Sequence, residues 1–161
     1  EICSEILKLG EQLDAEKKAI QHVNKAIERK DKLDQLPKHS HRVLCLEWID
    51  PYFSAGHWVP EQIEMAGFHS AIGKKGEISR VLTIDEIVAS EPDVIAVICC
   101  GYKIEENRSF VETLKNNSEI NFLKPFASKN VYAFDSDSFF SRPTTRIIEG
   151  AEQLRDAILN K

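Results

Sequence analysis

The side chains best equipped for chemistry gather in three short stretches. Residues 47–58 carry Glu47, Trp48, Asp50, Tyr52, Phe53, His57 and Trp58, and so hold both tryptophans of the chain. The second stretch is Cys100-Gly101-Tyr102, and the third runs through Asp135, Asp137, Phe139 and Arg142. Together they supply aromatic faces, carboxylates, an imidazole, a thiol and a guanidinium. Aromatic walls with a few aimed polar groups suit a pocket for a bulky organic ligand. Hydration of a loop requires neither Trp48 nor Trp58, although a hairpin of packed core aromatics would read the same way.

Two kinds of reaction chemistry fit the same residues. Cys100 as nucleophile, His57 as base and Asp135 or Asp137 as orienter would make a covalent catalyst. Glu47, Asp50 and His57 would make a metal site, but on one loop and without a second histidine. His39 and His41 lie in a polar linker and read as solvated. There is no G-x-G-x-x-G and no G-K-[ST], so nothing supports a glycine fingerprint for nucleotides. Cys3, Cys45, Cys99 and Cys100 show no C-x-x-C spacing, and Cys45 and Cys99 sit inside apolar runs where buried thiols are common.

The elements that must position these groups follow from the apolar pattern. The chain has 161 residues, 42% hydrophobic and 29% charged, enough for one domain with a core. Its formal net charge is −5 with no basic stripe, which excludes nucleic acid as the main partner. No apolar run is long enough to span a bilayer. The opening EICSEILKLG is acidic, amphipathic and uncapped, so it is not a signal peptide and reads as the continuation of a longer chain. Ile2, Ile6, Leu9 and Leu13 predict a helix over 1–13. A long helix follows over 14–36, with Asp14 as its N-cap and a narrow stripe of Ile20, Val23, Ile27 and Leu33 that suits the outside of a domain. Pro37 ends it.

From residue 43 the pattern alternates. Strands are predicted at 43–46, 94–99 and 131–134, with a shorter one in 68–72. Helices are predicted at 60–66, opened by Pro60 and closed by Gly67, and from the capping box Thr83-Ile84-Asp85-Glu86 to Ser90. Another falls within 102–114. The last begins at Thr144 or Thr145, with Ile147, Ala151, Leu154 and Ile158 on one face. Strands separated by helices imply right-handed crossovers. The expected fold is a three-layer, Rossmann-like α/β lobe with a parallel sheet of about four strands and the long helix outside it. The carboxyl ends of parallel strands share one edge. Trp48, Asp50, Phe53, His57, Trp58, Tyr102, Asp137, Phe139 and Arg142 should therefore line one rim, with Arg142 as the anchor for an anionic or amide group.

Several segments, in this order and spacing, resemble a known family. They are Glu47-Trp48-Ile49-Asp50-Pro51, Ala55-Gly56-His57-Trp58-Val59-Pro60, Pro92-Asp93-Val94-Ile95 and Cys100-Gly101-Tyr102. The last runs from Tyr132-Ala133 through Phe140-Ser141-Arg142-Pro143 to Arg146-Ile147. The pattern is similar to the substrate-binding proteins of ABC importers for cobalamin and iron–siderophore complexes, closest to the cobalamin-binding branch. That resemblance implies a non-enzymatic receptor without a resident cofactor. It would bind cobalamin or a similar siderophore or haem-like chelate in a cleft between two α/β lobes and hand it to an ABC permease.

By the same resemblance, residues 1–13 end an amino-terminal lobe of roughly a hundred residues. Residues 14–37 are then the rigid interlobe helix and 38–161 the carboxyl-terminal lobe. Asp50, Phe53, Trp58, Phe139 and Arg142 fall on cleft-facing positions, and Asp85, with Glu86 beside it, falls on a permease-docking position. The resemblance also implies a periplasmic or extracellular, membrane-associated protein, with a signal or lipid anchor upstream. Thr144-Thr145 stands where the family usually has Gly-Pro, and Cys99 where many members have Pro. A free metal-ion receptor of the same superfamily remains an alternative. One lobe alone offers one wall of a cleft, so weak ligand binding and self-association are expected of this chain.

Overall fold

Side-chain alternation along two buried strands sets the architecture. The computed structural model describes residues 1–160. Its elements are α1 (Ile2–Gln12), α2 (Glu16–Asp34), β1 (Arg42–Ile49), β2 (Tyr52–Ser54), α3 (Val59–Met65), β3 (His69–Ser70) and α4 (Ile84–Ala89). They continue with β4 (Val94–Val97), α5 (Ile104–Lys115), α6 (Lys124–Ala127), β5 (Val131–Ala133), α7 (Ser136–Phe139) and α8 (Ile147–Leu159). Val43 and Cys45 of β1, with Val94, Ala96 and Ile98, face one core completed by Ala26 and Leu33 of α2, Val59 and Ile63 of α3, and Ala151, Leu154 and Ile158 of α8. Their neighbours Leu44, Leu46, Ile95, Val97 and Cys99 face a second core with Ile87 of α4 and Val111 and Leu114 of α5. A sheet covered on both faces reads as a continuous apolar run, and residues 94–99 do. This is the three-layer α/β fold expected.

The sheet departs from the expected one in one respect. Its order is β2-β1-β4-β5, with β3 also on β1, which makes five strands. β1, β3, β4 and β5 are parallel, in the register Cys45↔Ala96↔Tyr132 across β1, β4 and β5. β2 folds straight back on β1 as an antiparallel partner, Trp48 opposite Phe53 and Ile49 opposite Tyr52. So short a connection through Asp50 and Pro51 leaves no length for a crossover, and only an antiparallel return is available. Residues 47–49, expected in a loop, therefore belong to a strand.

The opening helices bring further corrections. Asp14 does not cap α2: it lies in the left-handed region at φ 51, and Ala15 holds the N-cap position without a side-chain bond. The buried stripe is Ala19, Val23, Ala26 and Leu33, whereas Ile20 and Ile27 are 49% and 45% exposed. Small residues face inward because the neighbours come very close. A Cβ on Gly10 of α1 would meet the Cβ of Ala19 at 2.5 Å. α2 is also tied to α8 and to the turn before it: Arg29 reaches both Glu149 and Glu152, and His22 meets Thr145 at 2.9 Å. α8 itself starts at Ile147, because Thr144 and Thr145 form the turn before it. The capping box is present as read: Thr83 accepts from the Glu86 amide, and the Glu86 carboxylate accepts from the Thr83 amide.

Candidate functional site

At the carboxyl ends of β1, β4 and β5 the three chemical stretches interlock. Register slips between Leu46 and Trp48 in the β1–β2 pair, and such a bulge re-aims the side chains that follow. Trp48, 38% exposed, lies with its ring 5.6 Å from Tyr102 and donates its indole N–H to Asp50 O at 2.9 Å. Tyr102 stands edge-on to Phe110 of α5 at 5.1 Å. The Cys100 amide donates to Glu47 O, joining the second stretch to the first. Gly101, at φ 80, turns its amide to Ser141 Oγ at 2.9 Å, and Tyr102 O accepts from the amides of Ser136 and Asp137 at 3.0 and 3.1 Å. Asp137 then pairs with Arg142 at 2.9 Å.

All nine predicted rim residues follow or end these strands, but they divide across the sheet edge. Tyr102, bearing Trp48, packs with the α5 core, and Phe53 sits opposite Trp48 in β2. Trp58 and Phe139 pack on the α3–α8 core. Trp58 is not a free wall: it is half-buried and donates its indole N–H to Phe140 O at 2.9 Å. His57, exposed and at φ 57, lies against it at 5.8 Å. Asp50 and Arg142 are exposed, while Asp137 is half-buried.

The reaction chemistries do not assemble. Glu47 accepts from the Gly56 amide at 3.4 Å on one carboxylate oxygen and from Ser79 Oγ on the other, so both oxygens are engaged by neutral donors. Among the described residues no group of three or more His, Cys, Asp or Glu side chains could hold a metal ion. Cys100 is exposed, and no hydrogen bond joins it to His57 among the described residues. Burial pushes the Cys99 thiol up to about 12 and raises that of Cys45 as well, so both pack as inert apolar groups.

Two buried carboxamides hold this edge and escaped the sequence reading. Asn107 accepts from the Cys99 amide at 3.0 Å and donates to Phe134 O at 2.8 Å. Gln62 donates to Phe139 O at 3.0 Å and to Ile147 O at 2.8 Å. The signal was available: each interrupts an apolar helix face, Asn107 ahead of Phe110, Val111 and Leu114, and Gln62 between Val59 and Ala66. At the opposite edge, His39 and His41 are not solvated. They are half-buried around Phe68, at 5.8 and 5.9 Å. In the first turn of α4, Glu86 is held by the Thr83 amide and by Arg80 at 2.7 Å, and these keep its carboxyl below the usual range. Asp85 beside it is exposed.

The model of one protein family, described as periplasmic binding protein, matches residues 1–138. The chain belongs to that family. No curated protein sequence matches this periplasmic binding protein chain. Solved structures do. An ABC transporter substrate-binding protein from Listeria monocytogenes EGD-e superposes with a TM-score of 0.83 at 17% identity, over 99% of this chain and 64% of that one. A protein from Staphylococcus epidermidis, described as possibly iron-binding and as periplasmic solute-binding, gives 0.79 at 22% identity, over 98% and 61%. The periplasmic vitamin B12 binding protein of Vibrio cholerae gives 0.70 at 17% identity, over 98% and 60%. At such identities the likeness is one of fold. The chain spans about three fifths of the length of these structures. No helix among the described residues is long and apolar enough to cross a membrane.

Proposed function

We propose that this periplasmic binding protein lobe binds a bulky metal chelate, such as a corrinoid, a ferric siderophore or a haem-like macrocycle, and passes it to an ABC permease outside the cytoplasm. The observation that carries this reading is the interlocked carboxyl edge. There the Trp48–Tyr102 pair offers a broad aromatic surface, and the Asp137–Arg142 pair offers a planar cation to an anionic or amide substituent. The nine rim residues Trp48, Asp50, Phe53, His57, Trp58, Tyr102, Asp137, Phe139 and Arg142 are assigned to this surface, with Trp58 acting through its grip on Phe140. On this reading the protein is a receptor and not an enzyme. Residues 14–37 act as the interlobe helix and 38–161 as the carboxyl-terminal lobe. The chain by itself binds weakly and self-associates, through the rim or through residues 1–13, where Leu9 and Leu13 are exposed.

The test is titration of the chain with cyanocobalamin, haemin and a ferric trihydroxamate, followed by tryptophan emission and calorimetry. Saturable binding of at least one probe is expected, weakened about tenfold by Trp48→Ala. Absence of binding by all three would end the reading. Permease docking is assigned to Asp85, which is exposed in the first turn of α4, where the helix dipole favours a carboxylate. Glu86 serves the cap instead. Asp85→Lys should impair transport in the intact importer and leave ligand affinity intact. Normal transport by that variant would remove the docking role.

A further inference from the structure

Residues 134–147 carry Asp137, Phe139 and Arg142, and they are gripped from both faces of the sheet. From the α5 side, Asn107, 0% exposed, takes the Phe134 carbonyl on its Nδ2 at 2.8 Å while its Oδ1 receives the Cys99 amide at 3.0 Å. From the α3 side, Gln62, 1% exposed, gives its amide hydrogens to the carbonyls of Phe139 and Ile147 at 3.0 and 2.8 Å. Trp58 adds a bond to Phe140 O at 2.9 Å. A methyl group at residue 150 would strike the Gln62 amide and lie 2.8 Å from Phe139 O, so Gly150 keeps this passage open.

A gap in either core could be filled by leucine or methionine, which need no partners, whereas a buried carboxamide costs stability unless it is bonded. Three of the carbonyls that these two side chains take, those of Phe134, Phe139 and Ile147, lie in the rim segment or at the start of α8. The fourth, Tyr102 O at 3.5 Å from Asn107 Nδ2, lies in the loop after β4 that the rim segment also binds, and none belongs to β1 or β4. Carboxamides also suit the task because they hold carbonyls without changing charge with pH. Asn107 donates and accepts, whereas Gln62 spends both amide hydrogens on the segment. Its Oε1 is left buried without a partner among the described residues, a cost that leucine or methionine would not carry. A segment fixed before binding loses less freedom when the ligand arrives. We propose that Asn107 and Gln62 are positioning residues of the binding edge, holding the backbone of residues 134–147 in its binding geometry before any ligand is present. The ligand half of this statement rests on the function proposed above; the backbone half does not.

The experiment compares Gln62→Met, Asn107→Asp and Asn107→Leu with a core control, Ile87→Val, on α4. Native-state amide exchange is measured without ligand, and cyanocobalamin, haemin and a ferric trihydroxamate are then titrated at a temperature where every variant is folded. The amides of Ser136, Asp137, Phe139 and Ser141 should exchange about tenfold faster or more in the Asn107 and Gln62 variants, with β1 and β4 still protected. Any probe that binds the parent chain should bind about tenfold more weakly. Asn107→Asp keeps the acceptor for Cys99 but sets a carboxylate oxygen against the Phe134 carbonyl, so it should loosen the segment at least as much as Asn107→Leu. Ile87→Val should lower the melting temperature and change neither readout. Unchanged protection of residues 134–147 in Gln62→Met and both Asn107 variants, or faster exchange spread evenly over the chain, would overturn the proposal. If no probe binds the parent chain, the proposed function fails, and the exchange measurement still decides whether the two carboxamides position the segment.

Discussion

The two edges of the sheet handle charge in opposite ways. At the amino edge, charged heads turn inward onto the chain. Arg155 of α8, 8% exposed, donates to Pro37 O at 3.0 Å and to Ala66 O at 2.9 Å, with its other nitrogen 3.4 Å from His39. Asp93 receives the Arg42 amide at 3.0 Å and pairs with Lys124 at 2.6 Å. At the carboxyl edge the buried carbonyls are held instead by neutral groups, Asn107, Gln62 and Ser136. The carboxylates of Glu47 and Asp135 take only neutral donors, such as the nearby amides of Gly56 and Ser138, while Asp50, His57 and Arg142 are exposed. An edge whose charges are engaged by its own backbone is built for stability. An edge whose buried carbonyls are held by uncharged side chains leaves Asp50, His57 and the outer face of the Asp137–Arg142 pair for something else.

That contrast can be broken most sharply at Arg155. Arg155→Met leaves two carbonyls without their donor, and about 3 kcal/mol of stability should be lost. Urea unfolding would measure it, and ligand binding by the folded fraction should not change. A loss below about 1 kcal/mol would show that the amino edge is not held this way. Gly150→Ala is the matching test at the carboxyl edge. The added methyl presses on Gln62 and Phe139, and overpacking of this kind costs about 2 kcal/mol. Here the Trp58 emission should shift as well, because the grip on residues 139–140 is disturbed.

A smaller effect sharpens the comparison through pH. Burial alone would raise the Asp93 carboxyl, but Lys124 and the Arg42 amide outweigh it and hold the group below the ordinary value. A depressed folded pKa contributes stability that is fully present above the unfolded value, about 3.9. That contribution is lost as pH falls through the folded one. The protein should therefore lose stability below about pH 4, and Asp93→Asn should flatten this part of the curve while lowering stability at neutral pH. An acid limb of equal slope in both proteins would remove Asp93 from the account. Trp48→Ala should have the smallest effect on folding, within about 1 kcal/mol by urea unfolding, because the ring is partly exposed. A large loss there would make Trp48 a core residue and erase the difference between the edges.

The layering of this protein was legible in its sequence because apolar periodicity is a local record of burial. The run at 94–99 announced a strand covered on both faces, Thr83 and Glu86 announced a helix start, and Ala151, Leu154 and Ile158 announced the inner face of α8. Loops at the carboxyl ends of parallel strands had to share an edge, so the meeting of Trp48 with Tyr102, and of Tyr102 with Asp137, followed from topology.

What periodicity does not carry is which neighbour comes close. Ala19 and Ala26 are buried with Val23 and Leu33, and Ile20 and Ile27 are not; at Ala19 the reason is the close approach of Gly10. The return of β2, the inward turn of Arg155 and the engagement of Trp58 depend on carbonyls that are near in space and distant in sequence. The same holds for Asn107 and Gln62. As isolated letters they are polar residues on apolar helix faces, and only the folded chain brings Phe134, Phe139 and Ile147 to them. Burial of the central strands and of α8 is decided by the apolar pattern along the chain. The partners that satisfy a buried polar group are decided by the fold, since an unpaired donor or acceptor costs more than any local preference can return.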